Sequence, residues 1–123
     1  MLKAQIKGID CSDLPDFRTW IPSSPGEVYL PLTLSIGMED SMASDLFSIV
    51  VATSQGMQGK PKRGNQKMLV VRSYAWPEVE ITLKSWVEGA TGLSWSQVVD
   101  ELRKNFDWEF EGMGPRVLRD PTR

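Results

Sequence analysis

The clearest pattern in the chain is a strict alternation of apolar and polar residues between Val28 and Ile36. Alternation at every second position is typical of a strand with one buried face. The same pattern covers residues 2–7 and, less strictly, residues 46–52, and a short apolar run at 68–71 completes four predicted strands. Pro31 has no amide hydrogen to donate, so its nitrogen must face solvent or a bulge.

After Trp76 the apolar residues recur at helical spacing. Pro77 suits a first helical position and Gly89 can end a helix, which predicts a first helix from roughly 77 to 89. Ser94 and Gln97 match a capping box, whose side chains accept hydrogen bonds from backbone N–H groups at the start of a second helix. Strands first and helices last predict an α+β fold, an antiparallel sheet of about four strands followed by two C-terminal helices packed on one face.

The chain has 123 residues, enough for one domain with a real core. We predict a single domain over 1–113 and a flexible tail over 114–123, where two prolines and three arginines stand among few apolar residues. Residues 54–67, with three glycines and one proline, are expected to form a mobile surface connection.

Charge and cysteine content limit the expected cellular compartment and the classes of binding partner. The net charge of −2 and the single cysteine, Cys11, argue against nucleic-acid binding, a disulfide or a thiolate zinc site. The residues near Met1 alternate instead of forming a signal peptide, and no apolar run is long enough to span a bilayer. We therefore expect a cytoplasmic protein that binds neither nucleic acid nor membrane.

Catalytic chemistry has little support in this sequence. Histidine is absent, which removes the commonest general base and the commonest zinc ligand. The acidic neighbours of Cys11 disfavour its thiolate, and the glycines near Lys60 lack the Gly-Lys-Ser or Gly-Lys-Thr of a phosphate loop. We predict no enzyme activity, no cofactor and no metal; a small enzyme that uses carboxylates and a general protein-interaction domain remain as alternatives.

Several segments together resemble one known family. They are the opening residues 1–7, the strand around Phe47–Val50, the helical residues 86–102 and the closing Trp108-Glu109-Phe110-Glu111. Their order and spacing are similar to the immunity protein 8 family of bacterial polymorphic toxin and contact-dependent inhibition systems, over residues 1 to about 113.

The resemblance implies a protein encoded beside a toxin gene, which binds the toxin domain and blocks its activity without catalysis. Many toxin domains are basic nucleases, so an acidic surface would speed the encounter and improve selectivity. The candidate contacts are acidic residues on one turn and near the end: Glu39, Asp40, Asp45, Asp107, Glu109 and Glu111.

Trp108 and Phe110 are interpreted as structural, because alternation would bury both rings and point the neighbouring glutamates outward. Replacing Trp108 by Ala should lower the free energy of unfolding by ~3–5 kcal/mol. Chemical denaturation measures this loss, and a Trp108→Ala protein as stable as the parent would refute the interpretation.

Overall fold

The structure, a computed structural model, describes residues 1–60 and 66–110. The elements in chain order are β1 (Leu2–Asp10), β2 (Tyr29–Met38), β3 (Asp45–Ala52), β4 (Met68–Val70), α1 (Trp76–Glu88), β5 (Thr91–Gly92), α2 (Trp95–Leu102) and β6 (Asp107–Trp108). The α+β class is confirmed. The finer prediction was partly wrong, because the short strand β5 lies between the two helices, β6 follows the second helix, and the sheet has six strands. The predicted tail, 114–123, lies outside the described residues.

The sheet has the order β4-β3-β2-β1-β5, and β6 also pairs with β3. Strand β4 runs parallel to β3 along Val50–Ala52, whereas β6 pairs antiparallel with Phe47 and Ser48. Since β2 occupies the other edge of β3, β4 and β6 must share one edge, end to end. The expectation of an antiparallel sheet fails at β4, which pairs parallel to β3. The connection 53–67 is long enough to return the chain to the start of a parallel strand.

Pro31 lies inside the sheet, opposite Val50, without breaking the ladder. The Val50 amide donates to the carbonyl of Lys67 on the β4 side, so this pair does not exchange hydrogen bonds between β2 and β3. The nitrogen of Pro31 therefore faces the β1 side. Pairing with β1 ends at Thr33, opposite Asp10, so no donor is missed there.

The alternation of β2 builds one face of the core. Its buried side chains form a cluster with apolar residues of both helices; the cluster includes Leu30, Leu32, Leu34, Ile36, Val79, Leu83, Val87, Val98, Val99 and Leu102. Phe106 is fully buried although α2 ends at Leu102. Both helices thus cover the sheet face that β2 presents at every second residue.

The loop between β1 and β2 packs onto the core through its large apolar residues. Phe17 is buried and its ring lies edge-on against Trp76, with 5.0 Å between ring centroids. Trp20 packs against Tyr74 at 5.3 Å. Trp76, the first residue of α1, is therefore a core residue.

The connection after β3 starts as an ordered turn. The hydroxyl oxygen of Thr53 accepts from the amides of Val28 and Gly56, both at 3.0 Å. A Cβ on Gly56 would lie 1.9 Å from the Val28 carbonyl oxygen, so only glycine permits this approach. The segment predicted as a surface connection, 54–67, thus begins with a hydrogen-bonded turn in which Ser54 and Gln55 are exposed, and residues 61–65 lie outside the described part.

The predicted cap of the second helix is present. The Ser94 hydroxyl accepts from the Gln97 amide at 3.3 Å, and the Gln97 side-chain oxygen accepts from the Leu93 amide at 2.8 Å. The first bond satisfies an N–H group that the first helical turn leaves without a helical partner, and the second ties the Gln97 side chain to Leu93, the residue before the N-cap Ser94.

Replacing Ser94 by Ala should lower the free energy of unfolding by about 1 kcal/mol, because one capping acceptor is lost. The matched control is Ser96→Ala, inside the same helix, where alanine favours the helix and should cause no loss. Urea denaturation of both variants makes the comparison, and equal stabilities would contradict the capping role.

Candidate functional site

One end of the sheet gathers most of the exposed large apolar side chains in the described chain. Four of seven lie there: Met1, Met42, Leu46 and Leu93. We call this region the hairpin end; it comprises the turn 39–44 between β2 and β3, together with Met1, Leu93, Leu46 and Glu109. Several exposed apolar side chains grouped at one end of a fold are typical of an interaction site.

Strand register brings these residues together. Glu39 donates its amide to the carbonyl of Lys3 at 3.1 Å, which fixes the turn beside β1. Leu2 pairs with Gly92, so continuing the same antiparallel register places Met1 opposite Leu93. Opposite residues in such a pair have Cβ atoms about 5 Å apart. Segments distant in sequence therefore meet at the same end of the sheet.

A small cavity of about 70 Å³ opens at the hairpin end, between the turn and α2. It is lined by Gly37, Met38, Ser41, Ala43, Ser44 and Trp95. A Cβ on Gly37 would lie 2.0 Å from the Ala43 carbonyl oxygen, so glycine is required for the turn to fold over the sheet this closely. The cavity has room for one small aliphatic side chain.

The floor of this region is a buried carboxylate. Asp45, the first residue of β3, is 1% exposed, and its Oδ2 accepts from the indole nitrogens of Trp95 at 3.2 Å and Trp108 at 3.1 Å. One carboxylate oxygen thus joins the end of the hairpin to α2 and β6. Indole N–H groups are donors only, so each needs such an acceptor when buried.

Two further carboxylates complete the shared edge of β3. The Leu46 amide donates to Oε2 of Glu109, and the Glu109 amide donates to the Leu46 carbonyl at 2.9 Å. The Lys67 amide donates to Oδ2 of Asp107 at 2.9 Å, at the junction between β4 and β6. These acids replace ladder partners that neither short strand supplies.

Comparison with known proteins decides the family. The family model described as Immunity protein 8 matches residues 4–113, most of the chain. The chain belongs to the immunity protein 8 family. The resemblance predicted from the sequence is thereby confirmed, and the family implies an immunity protein directed against a toxin. No curated protein and no solved structure matches the chain at a significant level.

The acidic residues predicted as contacts have different positions in this immunity protein. Glu39 and Asp40 are exposed, and their side chains make no hydrogen bond or ion pair among the described residues. Asp45 was expected on the exposed turn. It is instead buried at the start of β3, where its carboxylate accepts hydrogen bonds from two indoles. Asp107 is half-buried and Glu109 is exposed. Glu111 lies outside the described residues.

The two rings interpreted as structural lie where that role requires. Trp108 is buried, and Phe110 packs partly buried against the core. Their ring centroids are 5.1 Å apart with an interplanar angle of 74°, an edge-to-face pair. The indole hydrogen bond to Asp45 was missed from the sequence, since nothing local connects residues 45 and 108.

Metal ligands, helix length and ionisable groups are the remaining features of the described residues that bear on function. Among residues 1–60 and 66–110, no three metal-ligating side chains cluster, and no helix is long and apolar enough to cross a membrane. Burial raises the pKa of the Tyr74 hydroxyl above its usual value, with a further contribution from nearby Cys11. The Tyr74 phenol therefore stays protonated at neutral pH.

Removing the Asp45 carboxylate should destabilise the immunity protein strongly. In Asp45→Ala two buried indole donors lose their acceptor, which should lower the free energy of unfolding by about 2–4 kcal/mol. Asp45→Asn should lose less, since the amide oxygen still accepts a hydrogen bond. Urea denaturation followed by tryptophan fluorescence compares the three proteins. An alanine variant that unfolds at the parental midpoint would exclude the bridging role.

Proposed function

We propose that this immunity protein binds a cognate toxin domain in the cytoplasm and neutralises it by occlusion, without catalysis. Membership of the immunity protein 8 family carries the proposal. The hairpin end supports it, because an exposed apolar surface beside acidic side chains is suited to a protein partner. The histidine-free composition is consistent with action by binding alone.

The partner that we propose is a basic toxin domain, such as a nuclease. Glu39 and Asp40 are exposed at the turn, and Glu109 is exposed at the same end of β3. Carboxylates placed together speed the encounter with a positively charged surface and orient it. Asp107 remains a proposed contact near this edge, and Glu111, outside the described residues, remains one on its place in the sequence. Burial of Asp45 favours an indirect role, in which it holds the surface in place.

Co-expression tests the function directly. The toxin encoded beside the immunity gene should arrest growth when expressed alone, and co-expression of the immunity protein should restore growth and yield a complex that copurifies. Arrest that persists at full immunity-protein expression, with no complex, would refute neutralisation.

Charge reversal tests the acidic surface. The double variant Glu39→Lys/Asp40→Lys should weaken toxin binding about 10-fold, mainly through a slower association rate at low salt. The matched control, Asp16→Lys/Glu27→Lys, changes the net charge equally in the loop at the opposite end of the sheet. Surface plasmon resonance at two salt concentrations measures both. Equal association rates in the two variants would remove the acidic turn from the interface.

A further inference from the structure

The exposed apolar residues of the hairpin end contribute little to the stability of the folded monomer. Met42 is fully exposed and Leu93 is 77% exposed, so folding removes little of their surface from water. Burial of a Leu or Met side chain stabilises a structure by roughly 1.5–3 kcal/mol. At the hairpin end, that free energy becomes available only when a partner covers the two residues.

Resting on the proposed function, we infer that the apolar hairpin end is the anchoring centre of the toxin contact. In this arrangement an aliphatic side chain of the toxin enters the cavity beside Trp95, and Met42 and Leu93 cover the toxin surface around it. Glu39 and Asp40 then pair with basic groups at the rim. Interfaces of this kind take most of their affinity from a few apolar anchors in a pocket, and charged rims add orientation.

Contacts within the folded protein hold the hairpin end in place before a partner binds. The turn is held by the Glu39 amide on Lys3 and by the close approach over Gly37. Below the cavity, Trp95 is fixed by its hydrogen bond to Asp45. A partner therefore meets a turn whose backbone is already held in place, which lowers the backbone conformational entropy lost in the complex.

Charge favours a toxin over a second copy of the chain as the occupant. In a symmetric dimer each copy uses the same patch, so the acids at the rim would approach one another. Lys3 and Lys7 lie on β1 nearby, and the Lys7 ammonium already donates to the Glu39 carbonyl and the Gln5 side chain. A toxin surface with an aliphatic side chain between basic groups complements this end.

Two matched double variants test the anchor. Met42→Ala/Leu93→Ala removes apolar area at the hairpin end, and Ile21→Ala/Ile81→Ala removes comparable exposed area elsewhere. With the toxin encoded beside the immunity gene, calorimetry should show about 30-fold weaker binding for the first pair. The control pair should bind within about 3-fold of the parent. Both proteins should unfold at parental denaturant concentrations.

A third variant tests the cavity itself. Ala43→Leu should fill the space in front of Trp95 and weaken toxin binding, while the exposed turn leaves stability unchanged.

The outcomes separate the inference from the function on which it rests. If the parent protein neither binds nor protects, the proposed function fails. If the parent binds and Met42→Ala/Leu93→Ala binds equally well, the anchor is refuted and the function stands. If sedimentation shows a parental dimer that the first pair dissociates, the hairpin end joins two copies, which also overturns the inference.

Discussion

The edge of β3 that faces away from β2 is completed by two segments that meet end to end, and the arrangement of the whole sheet depends on this edge. Buried backbone N–H and C=O groups require partners. Strands β4 and β6 supply them along Val50–Ala52 and Phe47–Ser48. Carboxylates of Asp107 and Glu109 then take the amides of Lys67 and Leu46 on either side of β6. Acidic side chains at this edge therefore act as parts of the backbone ladder.

Asp45 extends the same principle from backbone to side chains. A buried carboxylate is unfavourable unless hydrogen bonds replace its lost hydration. The indoles of Trp95 and Trp108 provide two such bonds and gain the acceptor that each needs. Because Trp95 also lines the cavity at the hairpin end, the interaction that stabilises the core positions the candidate binding surface.

Elements defined by local patterns were predictable from the sequence. Alternation located β2, and the Ser94 and Gln97 side chains located the start of α2, because both signals lie within a few neighbouring residues. Strands β5 and β6, of two residues each, are too short for any period to be visible. The burial of Asp45 depends on residues 50 and 63 positions away. The signal that could have found it was the need of several tryptophans for an acceptor.

Substitutions at the acids near the hairpin end do not all test the same property. Substitutions at Asp45, Asp107 or Glu109 remove hydrogen bonds within the fold. A loss of protection against the toxin could then come from lower stability as well as from weaker binding. Glu39 and Asp40 avoid this problem, but exposed charges are screened within about 8 Å at physiological salt. Lys3 and Lys7 reduce their net field further. Acidic charge alone is therefore a weak source of affinity here. In the complex that we propose, the short-range contact of apolar side chains would supply the lifetime, while the acids would set the association rate and the orientation.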